Sequence, residues 1–201
     1  MTLKLEQMYE MQKALDAKII KEKGLEGQNL LPNTILALQV EIAELANEWR
    51  GFKHWSNDRE PRTAIPSLVK TSGIDIALED GTYLQNPLLE EYVDCLHFFL
   101  SIARQLEYSA DDLCVFEDYV EGETGLLFTE LLINVGYLLG DKLQIRESEK
   151  DFKAWQKQHF RGAIYIFYAL GEQRLGFDFE DIAAAYAAKN EVNHERQANG
   201  Y

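Results

Sequence analysis

Two stretches of the chain carry acids at a spacing that could hold a cation: EIAELANEW, with Glu41, Glu44 and Glu48, and LLEEYVDCLHFF, with Glu91 and Asp94. Ile35, Leu38, Ile42, Leu45 and Trp49 recur at steps of three and four, the spacing of a helical stripe turned toward a core. The three glutamates follow the same steps one residue earlier, roughly 100° round the helix axis. They therefore border the buried stripe instead of lying opposite it. Glu91 and Asp94 share a helical face with Leu88, Cys95 and Phe98. No Lys or Arg occurs from Ile35 to Trp49 or from Gln85 to Ala103, so neither segment can neutralise its own carboxylates. If the two helices pack on their apolar stripes, Glu41, Glu44, Glu91 and Asp94 converge at the edge of a core. Like charges in such a place raise one another's pKa or must find a cation. A few carboxylates with open positions suit Mg²⁺, which keeps waters and takes substrate phosphates as ligands. One ExxE alone would read as a solvated face paired from other helices; ExxE with ExxD, both lacking internal counter-ions, favours the cation.

Near the end, AAAYAAKNEVNHERQANGY places Tyr186, Lys189, Asn193 and Arg196 three and four apart, with Asn190 and Gln197 beside the same face. Arg can hold phosphate oxygens bidentately and Lys supplies a point charge, so this face could grip a polyanion. Alone, it would equally suit a helix end whose dipole favours basic residues. After the first acidic helix, RGFKHWSN offers Phe52 and Trp55 as flat apolar surfaces and Lys53 as a further cation. Aromatic rings stack on a nucleobase, although Phe52 and Trp55 could instead complete the core.

The elements that must position these groups read as helices throughout, which predicts an all-α fold. The first helix spans about Leu3 to Lys23 and stops before Gly24. The second starts after Pro32, with Asn33 or Thr34 as its cap, and ends near Gly51. Residues from about 56 to 85 have only weak periodicity and form a long connecting segment, with room for a short helix or hairpin. Asn86 and Pro87 supply a cap and a first-turn proline for the helix that carries Glu91 and Asp94. A shorter helix follows Ser109, GLLFTELLINVGYLLGDKL reads as a largely buried helix, and Ser148 with Asp151 resembles a capping pair for the next. Asp178, Asp181 and a Phe177/Ile182 staple open the last helix.

A chain of 201 residues, 46% apolar, is expected to form one domain over 1–201. Its net charge of -14 would repel a nucleic-acid backbone. No run of 18 apolar residues or signal-peptide block occurs, so the expected setting is cytoplasmic, away from membranes. Cys95 and Cys114 have neither CxxC nor framework spacing and are expected to be reduced and structural.

EIAELANEWRGFKHWS, LLEEYVDCLHFFLSI and YAAKNEVNHERQANGY, in that order, resemble the dimeric all-α dUTPase family of bacteria, their phages and some protozoa, within the all-α NTP pyrophosphatases that share an ExxE…ExxD metal motif. MQKALDAKI is similar to that family's first motif. The resemblance implies a homodimer that hydrolyses dUTP, with dUDP as a further substrate of such enzymes, and two or three Mg²⁺ ions per site. It implies Glu41, Glu44, Glu91 and Asp94 as metal ligands, Gln12 and Asp16 at the nucleoside, and Trp55 stacked on uracil. Lys189, Asn193, Arg196 and Tyr201 match the phosphate-binding end. The ExxE to ExxD spacing exceeds that of the compact relatives.

The expected chemistry is in-line attack of water on the phosphoanhydride, with Glu41 or Glu44 accepting a proton and Lys189 and Arg196 neutralising the leaving group. Other readings are a related pyrophosphatase acting on a nucleotide such as dCTP, and a non-catalytic acidic helical interaction protein. A di-iron bundle would use Asp94-x-x-His97, but the other histidines supply no second pair of this kind away from the basic helix.

Overall fold

The computed structural model describes residues 3–70, 72–114, 119–140 and 149–199. Its helices are α1 (Leu5–Glu22), α2 (Leu31–Trp49), α3 (Pro87–Gln105), α4 (Ala110–Leu113), α5 (Thr124–Tyr137), α6 (Glu149–Ala169) and α7 (Phe179–Ala198). α6 runs on into a π-helical turn over Leu170–Leu175. The fold is all-α, with one small sheet on the connection between α2 and α3.

α2 lies along α3, burying Ile35, Leu38, Ile42 and Leu45. The face of α3 is wider: Leu88, Tyr92, Cys95, Leu96 and Phe99 are all buried. α1 and α7 close over the other side of α3, and α5 pairs with α6. Tyr92 stacks on Phe167 at 4.2 Å between ring centroids, and its hydroxyl donates to the Phe167 carbonyl at 3.2 Å. That bond satisfies a backbone acceptor just ahead of the π-helical turn, where the regular ladder is interrupted.

Three starts follow their sequence signals. The Asn86 side chain accepts from Leu89 N at 3.1 Å, with Pro87 in the first turn of α3. Asp178 Oδ1 accepts from Asp181 N at 2.8 Å at the start of α7, and Ser109 and Asp112 form a capping box on α4. The start of α2 differs from expectation. It begins at Leu31, because Asn29 Oδ1 accepts from Leu31 N at 3.2 Å, and Pro32, with no N–H to satisfy, fits the first turn. Thr34 is already helical and donates its hydroxyl to Leu30 O at 3.0 Å; neither it nor Asn33 is the cap.

A second correction concerns α5. It buries Leu127, Phe128, Leu131 and Val135, yet Leu126, Ile133 and Tyr137 are exposed. Its apolar residues exceed what one core-facing stripe can cover. The proposed Ser148 cap of α6 lies outside the described residues.

The connection holds β1 (Ile65–Ser67), β2 (Ile76–Ala77) and β3 (Tyr83–Gln85), antiparallel in the order β1-β3-β2, with Ile65 opposite Gln85 and Ile76 opposite Leu84. Its entry is pinned to the end of α2. Arg50, in the left-handed region at φ 64°, pairs with Asp58 at 3.0 Å, and Arg62 pairs with Glu48 at 3.4 Å.

Candidate active site

The packing of α2 on α3 brings Glu41, Glu91 and Asp94 together, with one carboxylate oxygen of each within 4.8 Å of the others. Glu44 is exposed and outside this trio, but its charge is felt by both Glu41 and Glu91. Glu48, the third acid on α2, is held by Arg62. Burial, then Asp94 and Glu44, pushes the Glu41 carboxyl up to about 7. Burial, then Asp94, Glu41 and Glu44, pushes Glu91 up to about 8. Three oxygens that crowd each other in this way form the donor set a hard divalent cation needs: binding one removes the repulsion that raises both carboxyls. The residues fit a Mg²⁺-type ion.

Asp94 also has a protein partner. Lys189 Nζ, on α7, lies 2.6 Å from Asp94 Oδ2 and 2.9 Å from Glu90 Oε1. Lys189 is buried, at 7% exposure; burial disfavours its charge, but Asp94 and Glu90 outweigh that effect and hold its pKa above the ordinary value. Asp94 itself is raised by burial despite the ammonium.

Beside the acids is a cavity of ≈ 320 Å³ whose lining includes Glu41, Asp94, Lys189, Asn193, Arg196 and Gln197 together with Gln12, Asp16, His97, Phe98 and Ser101. The basic, amide-rich end of α7 and the acidic edge of α3 thus face one space. Gln12 is fixed within a chain of hydrogen bonds: its Nε2 donates to Asp16 Oδ1 at 2.7 Å, and its Oε1 meets His97 Nδ1 at 2.7 Å and accepts from the Tyr186 hydroxyl at 3.1 Å. Asp16 is paired with Arg104. Because Gln12 presents its oxygen, His97 Nδ1 is the donor and Nε2 carries the lone pair. Burial, then Lys189, pushes the imidazole down to about 3, so it is neutral at pH 7. Its Nε2, Asn190 Nδ2 and Gln197 Oε1 are buried without a hydrogen-bond partner among the described residues.

Lys53 and Trp55 do not border this cavity. Trp55 is 68% exposed, in edge contact with Phe52 and His54, so the ring does not complete the core. Tyr201 lies outside the described residues. One participant, Glu90, was not singled out from sequence. Glu90 precedes the acidic motif and lies one turn before Asp94, the i,i+4 relation that lets one lysine reach both. The imidazole of His97 had a sequence cue only in its three-residue step from Asp94.

A larger cavity of ≈ 410 Å³, among Leu5, Met8, Tyr92, Leu96, Phe177 and Ile182, is mainly apolar and separate from the acidic trio. Size does not decide between the two. Convergent charge does, and it favours the smaller cavity.

A family model described as dUTPase fits residues 4–67 and 80–201 of the chain. A search of curated proteins found no match.

Proposed function

The chain belongs to the dUTPase family, and from that membership we propose that this dUTP diphosphatase releases dUMP and pyrophosphate with Mg²⁺ held by Glu41, Glu91 and Asp94, and with Glu44 joining them when substrate is bound. The observation that carries the proposal is the shared space: Glu41 and Asp94 of a carboxylate trio within 4.8 Å line one cavity with Lys189, Asn193 and Arg196. A triphosphate needs both. Without a cation, the acids of a protein with net charge -14 would repel it.

Bound Mg²⁺ would supply charge neutralisation and a water acidic enough to react near neutral pH. The chain's own residues do the rest. Arg196 and Lys189 bind phosphate oxygens and stabilise charge on the departing group. Glu41 or Glu44 accepts the proton of the attacking water. On the nucleoside side, Gln12 is locked by Asp16 and His97, and the unpartnered Nε2 of His97, which lines the cavity, offers an acceptor to polar groups of the sugar and base. We place Trp55, with Lys53 beside it, over the base, and Tyr201 at the phosphates. The same acids would accept dUDP, releasing phosphate. Metal ligands do not select the base, so a preference for dCTP is the reading to exclude.

We further propose a homodimer. Leu36 and Val40 on α2 and Leu126, Ile133 and Tyr137 on α5 are exposed, and Gln39 Nε2 donates to Leu132 O at 3.4 Å where the two helices meet. These side chains form neighbouring apolar stripes that a second copy would cover. Among the described residues no helix is long and apolar enough to cross a membrane.

Pyrophosphate release from dUTP, dCTP, dTTP and UTP, with and without Mg²⁺, tests the function. The expected result is Mg²⁺-dependent release from dUTP above the others; a preference for dCTP, or equal rates without a divalent ion, would overturn it.

A further inference from the structure

The dUTPase match passes over residues 68–79, and part of that segment sits directly behind Lys189. The Ser72 hydroxyl donates to Asp75 Oδ1 at 2.7 Å, and Ser72 N to Asp75 Oδ2 at 3.1 Å, forming a tight turn closed by Gln85 Nε2, 3.4 Å from Asp75 Oδ2. Ser72 is buried. The turn rests on α7 so closely that a Cβ at Gly73 would lie 3.0 Å from the Ala188 carbonyl oxygen. Ser72, Gly73 and Ile74 share a narrow crevice with Glu90 and Lys189.

Lys189 has three N–H donors. One reaches Glu90 at 2.9 Å and one reaches Asp94 at 2.6 Å, which leaves a third for an anion. Asp94 belongs to the carboxylate trio and Glu90 does not, so a cation that takes Asp94 competes with Lys189 for the same carboxylate. Glu90 is the acceptor that competition does not touch.

We propose that Glu90, backed by the Ser72–Asp75 turn, is a positioning residue that keeps Lys189 at the edge of the site when a divalent cation takes Asp94, and so prevents the lysine from competing with that cation. The inference rests on the reading of the trio as a cation site and of Lys189 as a phosphate contact. Without Glu90, the ammonium turns to Asp94, its other carboxylate partner, and opposes the cation more strongly. In this chain the wall that holds the pair is an element outside the family match.

The test is a double-mutant cycle on binding of Mn²⁺ alone, measured by titration calorimetry or electron paramagnetic resonance without nucleotide. Glu90→Gln is expected to weaken Mn²⁺ binding about fivefold in the wild-type background and to change it less than twofold beside Lys189→Met, a coupling of the size found for groups in contact. Equal weakening in both backgrounds would overturn the proposal, because Glu90 would then act on the cation directly through its charge. Should Lys189→Met fail to fold, Lys189→Gln, which keeps a donor, gives the same comparison. Gly73→Ala, which crowds the turn against Ala188, is expected to weaken Mn²⁺ binding in the same direction, about twofold; unchanged binding would remove the segment from the account. With dUTP as substrate, Glu90→Gln is expected to raise KM more than it lowers kcat. A chain that turns over no dUTP but shows the Mn²⁺ coupling would contradict the assigned substrate and leave the Glu90 role standing; dUTP turnover with additive Mn²⁺ effects would do the reverse.

Discussion

Glu41 and Glu91 set the pH behaviour of the site. In the cation-free protein their carboxyls hold protons up to about 7 and about 8, because burial and neighbouring acids disfavour the charged form. A divalent ion must displace those protons. Its affinity should therefore rise from pH 6 to 8.5, with proton release that calorimetry in buffers of different ionisation enthalpy can count. Stability runs the other way. The folded pKa values lie above the ordinary 4.5, so this contribution is fully present below that value and is lost as pH rises through 7 and 8. Melts of the cation-free protein should fall over that range and recover when Mg²⁺ is added; a cation-free melting temperature that rises between pH 5 and 8 would contradict the clustering. Glu44→Gln should lower kcat by about 10²–10⁴-fold, the range for loss of a general base, with unchanged helical circular dichroism. Arg196→Ala should raise KM by about tenfold or more, as for a lost hydrogen bond to a charged group, and leave Mn²⁺ binding nearly intact. Steady-state kinetics separate these two roles.

At the scale of elements, α2 and α3 act as a pair of rods whose apolar stripes fix where the acids meet. Ile42 is fully buried between them, and Ile42→Ala should cost about 2–5 kcal/mol of unfolding free energy, read from urea denaturation. Much of this was legible in sequence, because a stripe at steps of three and four fixes both the buried side and the edge beside it. Caps with a side-chain oxygen one residue before the helix, Asn86 and Asp178, were legible for the same local reason. The start of α2 was not: Asn29, two residues upstream of Leu31, supplies the oxygen, and Pro32 drew attention to the wrong side of itself. The partner of Asp94 was also hidden, since Lys189 is 95 residues further along. Composition shows that cations exist on α7, and only the fold shows that one is spent on Asp94 and Glu90. The sheet between α2 and α3 consists of two- and three-residue strands, too short for a period of two to register.

At the scale of the whole molecule, the exposed apolar stripes of α2 and α5 are the faces that the proposed homodimer would bury. Sedimentation should give a dimer, and Ile133→Asp, which places a charge in the middle of the α5 stripe, should give a folded monomer. A wild-type monomer at micromolar concentration would contradict the proposed assembly. The charge of the molecule and its substrate are also linked at this scale. A chain with 34 acids against 20 basic residues can accept a triphosphate only where cations are concentrated, and Lys189 and Arg196 line the same cavity as Glu41 and Asp94. The measurement that tests this most directly is calorimetric titration of Mg²⁺ at pH 8 into the wild-type protein, Glu91→Gln and Asp94→Asn, each with and without a non-hydrolysable dUTP analogue. The account predicts that the analogue tightens Mg²⁺ binding in the wild type and that either substitution removes both the binding and the coupling. Equal Mg²⁺ binding by all three proteins would contradict a cation site shared by α2 and α3.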